Sequence, residues 1–157
     1  MKNIFYIAIL IFIIICTYGC IGNYLGMMAG SYPYAETWNF KVNEKELIDI
    51  IKDFKLENPS VQPPNDTALT IGKHNYWYFI NFYDKVNKET IHTWIRENND
   101  SNCTFALVYF SDRSIYSKNK YINRDYWYFK NKRKIKKFKT EIIDKLQAKV
   151  ALKNSND

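Results

Sequence analysis

The chain has 157 residues, a formal net charge of +7, three cysteines and 17% aromatic residues. That length leaves room for one domain built around one core. Only Cys103 lies beyond residue 20, which excludes an intramolecular disulfide framework in the body of the chain.

The chain opens with Met1-Lys2-Asn3, an apolar run over residues 4–16, and then Thr17-Tyr18-Gly19-Cys20. A cationic head, an apolar stretch and a small residue near its end are the three parts of a bacterial secretory signal. With Gly19 directly before Cys20, the pattern resembles the signal of a bacterial lipoprotein, although Thr17 and Tyr18 depart from the usual leucine-led motif. The resemblance implies cleavage after residue 19 and acylation of Cys20. It further implies a place in the bacterial cell envelope, with the periplasmic side of the outer membrane favoured because Ile21, not Asp, follows the cysteine. An uncleaved anchor is the alternative, since residues 4–22 come close to the roughly 20 that span a bilayer. Both readings predict a membrane tether at the N-terminus, and several acyl chains would hold it stably where one would not. Residues 20–31 carry three of the five glycines and no charge, and read as a flexible tether. The domain is expected over 32–150, followed by a polar tail at 151–157.

Within the domain, residues 37–42 read as a strand, and Asn43 with Glu46 three residues on marks a helix start. Leu47, Ile48, Ile50, Ile51 and Phe54 then share one helical arc, which Pro59 ends. Residues 58–75 form the longest loop. Strands follow at 76–83, 89–96 and 103–111, joined by Asn- and Asp-rich hairpin loops. Residues 126–129 are a fourth short strand or the approach to a last helix, placed at about 131–150 with the stripe Ile135, Phe138, Ile142, Ile143, Leu146 and Val150. The order β-α-β-β-β-α predicts an α+β fold: a two-layer sandwich with an antiparallel sheet of about four strands and both helices on one face.

The strand at 76–83 is apolar on both faces. Trp77, Phe79 and Tyr83 fall on the side a two-layer fold leaves uncovered, so they are covered by the long loop or form an aromatic face for a partner. Residues 130–139 hold seven cations and no acid. They stand at a helix start, where the macrodipole costs each cation about 0.3–1 kcal/mol, so propensity does not explain them. Arg133, Lys134, Lys136 and Lys137 lie off the apolar stripe. They are candidates for binding an acidic protein or anionic lipid headgroups, with a solvated helix face as the plain alternative. Nucleic acid is not expected, because the signal removes the chain from the cytoplasm.

Catalysis finds little support in the residues. Neither a Gly-x-Ser-x-Gly elbow nor a phosphate-cradling glycine loop occurs, and His74 and His92 lack the spacing of a zinc site. No cofactor, metal or small-molecule substrate is expected. His92 alternates with Thr90 and Trp94 and reads as a structural histidine, and Cys103 reads as a buried thiol. The expected function is a membrane-anchored, non-catalytic protein-binding module, with an immunity protein against a secreted toxin as one version. An accessory subunit of an envelope assembly is the other reading.

Overall fold

A computed structural model describes residue 11 and residues 32–64, 72–74, 76–99, 101–112 and 118–155. The chain divides into two compact units, Met1–Tyr34 and Ala35–Asp157. The expectations for the signal, for Cys20 and for the tether lie outside the described residues. Among those described, no helix is long and apolar enough to cross a membrane.

The second unit is α+β, as the alternating pattern predicts. Glu36–Phe40 forms β1. Asn43 then caps α1 (Glu44–Glu57) by accepting the Glu46 backbone N–H at 2.9 Å. All five residues of the predicted arc, Leu47 to Phe54, are buried. At the far end the Asn58 side-chain amide and its backbone N–H both donate to the Phe54 carbonyl, and Pro59–Val61 turns the chain away.

The strands are β2 (Gly72–His74), β3 (Trp77–Asp84), β4 (Glu89–Asn99), β5 (Asn102–Asp112) and β6 (Lys120–Tyr121). All pairings are antiparallel in the order β1-β5-β4-β3-β2, with β6 also paired to β5. The sheet therefore has two more strands than expected. Both are short and sit in polar stretches, where a neighbour's open edge imposes pairing that the local pattern does not announce. Strands β3 and β4 meet at a four-residue turn built by Asp84. Its Oδ1 accepts the N–H groups of Val86 and Asn87 at 3.0 and 3.1 Å, and Lys88 closes the turn at φ 55°.

The last helix begins earlier than expected, as α2 (Tyr128–Phe138). It passes through a π turn at Lys139–Ile143 and continues as α3 (Asp144–Asn154), taking in part of the predicted tail. The wider π turn lets adjacent Ile142 and Ile143 both face inward, so Phe138, Ile142, Ile143, Leu146 and Val150 are all buried. Ile135 packs against the same core from its margin. Phe138 meets Trp38, Phe82 and Phe105 with ring centroids 5.8 to 6.1 Å apart. Each such burial contributes about 1.5–3 kcal/mol before entropy is counted. Among the described residues, the buried core lies between Phe40 and Val150, so this unit carries a hydrophobic core of its own.

Candidate functional site

Alternation along β3 sends Ile80, Phe82 and Asp84 into the core and leaves Trp77, Phe79, Asn81 and Tyr83 on the opposite face, half-buried. Register extends that second face across the sheet. Phe79 stands opposite Trp94, Asn81 opposite His92, and His92 opposite Tyr109, which in turn faces Tyr121. The rings engage one another in two groups along that face. Trp77 meets Trp94 edge-on at 4.3 Å with Arg96 5.3 Å over its own ring; His92 stacks on Tyr109 at 4.1 Å; Tyr109 meets Tyr121 at 5.2 Å, and Arg124 lies 4.2 Å over Tyr121. A register shift between His92 and Thr93 lies between the two groups. Trp77, Phe79 and Tyr83 thus belong to a wider aromatic strip whose cationic ends, Arg96 and Arg124, the sequence reading did not single out. Arg96 could have been found from strand alternation, which places it on the same face as Trp94; Arg124 could not, because it follows the unpredicted β6 in a turn.

His92 Nε2 and Ser111 Oγ lie 2.7 Å apart on this face. Such a pair is half of a nucleophilic constellation. Its cross-strand neighbours, Asn81 and Tyr109, supply no carboxylate to orient it, and burial drives the His92 pKa down to about 4. An efficient general base has a pKa near the working pH. His92 is therefore a neutral, poorly basic ring that ties β4 to β5.

The four cations singled out from sequence divide into two pairs. Lys137 bonds the buried Asp84 at 2.8 Å, and Lys134 pairs with Glu89, its ammonium also 4.0 Å over the Phe110 ring. These two lysines fasten the last helix to the β3–β4 hairpin. Burial would raise the Asp84 pKa, but the bonds from Lys137 and Asn87 outweigh it and hold the carboxyl below its ordinary range. Arg133 and Lys136 are exposed, and among the described residues neither forms an ion pair. They are joined on the surface by Lys130 and Lys132. Directly before them Trp127, Tyr128 and Phe129 remain 76, 63 and 62% exposed. Preceding them, Tyr126 folds back against the core and meets Phe110 edge-on at 6.1 Å.

A cleft of about 20 Å³ beside Asp84, Phe110, Lys134 and Lys137 holds roughly one water. Among the described residues no group of three or more His, Cys, Asp or Glu side chains could hold a metal ion. Cys103 is fully buried at the β1–β5 pairing, and burial, with Glu44, Glu97 and Glu46 nearby, pushes its thiol up to about 12. The thiolate is the reactive form, so a maleimide should label Cys103 only after the domain is unfolded in denaturant. Rapid labelling of the native domain would show that the strand opens. No protein-family model, curated protein or solved structure matches the chain.

Proposed function

We propose that the chain is a lipid-anchored, non-catalytic binding module of the bacterial cell envelope that holds a protein partner on the outer face of its sheet. The aromatic strip from Trp77 to Tyr121 carries this reading. Trp, Tyr and Arg are the residues that dominate protein–protein binding energy: the two aromatics bring large contact area with only two side-chain torsions, and Arg brings a planar, many-donor charged group. Here their rings are already locked against one another, which lowers the entropy lost on binding. A broad aromatic face, half-buried at Trp77, Phe79 and Tyr83, suits another protein. An immunity-type role, in which the partner is a toxin encoded by a neighbouring gene, is the specific version of the proposal.

The anchor and the face are tested separately. Wild-type chain should incorporate labelled palmitate, and Cys20→Ala should abolish the label and leave unprocessed precursor. Label-free protein that still carries Met1 would instead support the uncleaved anchor. For the face, the product of the adjacent reading frame should copurify with the domain. Arg96→Ala should weaken that complex about 30-fold, the size of a 2 kcal/mol hot spot, with the melting temperature little changed. A complex indifferent to Arg96 and Trp77 substitutions would place the binding surface elsewhere.

A further inference from the structure

The start of the last helix carries an arrangement that packing does not explain. Trp127, Tyr128 and Phe129 stand exposed in succession, held as a unit by edge-on contacts of 5.2 Å between Trp127 and Phe129 and 5.4 Å between Tyr128 and Phe129. Behind them come Lys130, Lys132, Arg133 and Lys136, all exposed, and among the described residues none of the four is in an ion pair. The spacing matters. Phe129, Arg133 and Lys136 share one helix face and Tyr128 and Lys132 another, so Tyr128 and Phe129 each have a cation one turn, about 5.4 Å, further along the axis. Lys132 already lies 5.9 Å over the Tyr128 ring.

The helix end itself is bare. Trp127 offers no side-chain cap to the first N–H groups, and the first turn holds no acid. The site is nevertheless rigidly mounted. Asn131, buried one turn in, donates to the Asn123 side chain at 2.6 Å and accepts the Asn123 N–H at 3.0 Å, while Ile122 plugs the core and Lys134 is pinned by Glu89.

From this geometry we infer that the helix start is a membrane-docking tip, with Trp127, Tyr128 and Phe129 entering the headgroup layer of an anionic bilayer while Lys130, Lys132, Arg133 and Lys136 contact its phosphates. Three features select a bilayer as the occupant. Consecutive aromatics at a helix end project around the tip and form no groove-filling stripe, and Trp and Tyr are the side chains that settle at membrane interfaces. An apolar tip with cations one to two turns behind matches the 5–10 Å depth to which interfacial helices sink. The cations are mostly lysine, a residue depleted from protein interfaces but effective against an anionic surface, at about 1 kcal/mol each. The positive end of the helix dipole points the same way. This contact is independent of any lipid at Cys20 and distinct from the aromatic sheet strip.

The test uses the unit of residues 35–157, which carries its own core and lacks the apolar N-terminal segment that would itself bind lipid. Cosedimentation with vesicles of phosphatidylglycerol and phosphatidylcholine should show binding, and vesicles of phosphatidylcholine alone should show almost none. Raising salt should release the protein as the Debye length falls from about 10 Å at 0.1 M. Arg133→Gln with Lys136→Gln should weaken binding roughly 10- to 30-fold, and Trp127→Ser with Phe129→Ser should abolish it without lowering the melting temperature. Brominated lipid should quench part of the wild-type tryptophan fluorescence, and Trp127→Phe should remove that part. Absence of binding to anionic vesicles would overturn the inference. So would binding that the Trp127 and Phe129 substitutions leave intact, or a tip whose substitution disrupts only self-association or a protein complex.

Discussion

Replacing both Lys134 and Lys137 by Gln is expected to destabilise the domain by about 2–4 kcal/mol, a fall in melting temperature on the order of 10 °C for a unit of this size. The Asp84 side chain is 5% exposed and that of Glu89 is 21%, so removing their lysines leaves two largely desolvated carboxylates without their cations. A fully buried pair broken in this way costs about 3–5 kcal/mol, and the 32% exposure of Lys137 lowers that figure here because water can partly replace it. Asn87 and the turn N–H groups still hold Asp84, which limits the loss further. The opposing effect is relief of the helix dipole, about 0.3–1 kcal/mol per cation at the first turn and less at the second and third, so desolvation wins. Arg133→Gln with Lys136→Gln is the control. Those side chains are solvated, and the dipole alone predicts an unchanged or slightly higher melting temperature. If the two double variants melted alike, the ion pairs to the hairpin would contribute nothing.

That division of the basic run shows where sequence reasoning stops. The helical wheel sets Arg133, Lys134, Lys136 and Lys137 off the apolar stripe. From that position all four looked equivalent, with the dipole as the only force acting on them. Their difference is a matter of tertiary register: Asp84 and Glu89 flank the β3–β4 turn, and the helix crosses that turn so that positions 134 and 137 reach it while 133 and 136 point away. Nothing within ten residues of the run encodes this. The Asn43 cap, the α1 arc and the three long strands were legible, because each follows from a local period of 3.6 or 2.

The tetrapeptide Tyr-Trp-Tyr-Phe makes the same point from its two copies. At 76–79 strand pairing with Ile95 and Trp94 draws Tyr78 and Phe79 into the sheet and leaves only Tyr76 widely exposed. At 126–129 the order is reversed: Tyr126 packs inward and the following three aromatics face solvent. Identical residues acquire opposite roles because one copy has a strand on its flank and the other is followed by seven cations that favour water. The second copy was therefore readable as a strand or a helix approach, and its exposure became visible only with the fold.

Lowering the pH from 7 toward 4.5 is expected to weaken the domain through His92, by about 1–2 kcal/mol. Burial holds the folded-state pKa near 4, against an ordinary value of 6.5. Above 6.5 the ring is neutral whether the chain is folded or not, and stability does not vary on its account. As pH falls below 6.5 the unfolded chain takes up a proton that the folded domain refuses, so stability declines by up to about 1.36 kcal/mol per unit until the folded ring also protonates. Partial access of water to a half-buried ring keeps the total below that ceiling. Asp84 acts in the same direction but in a lower window. Its folded pKa lies under 3.8, so its contribution is full above that value and is lost only as pH falls through the depressed one. The two groups are thus separable by titration. His92→Phe preserves the stack on Tyr109, gives up the bond to Ser111 at a cost of about 1 kcal/mol, and should flatten the profile between pH 6.5 and 4. A wild-type melting temperature that stays level across this window, or a slope that survives in His92→Phe, would mean that the ring charges readily in the folded state. In that event the His92 and Ser111 pair would regain the basicity that a catalytic role requires.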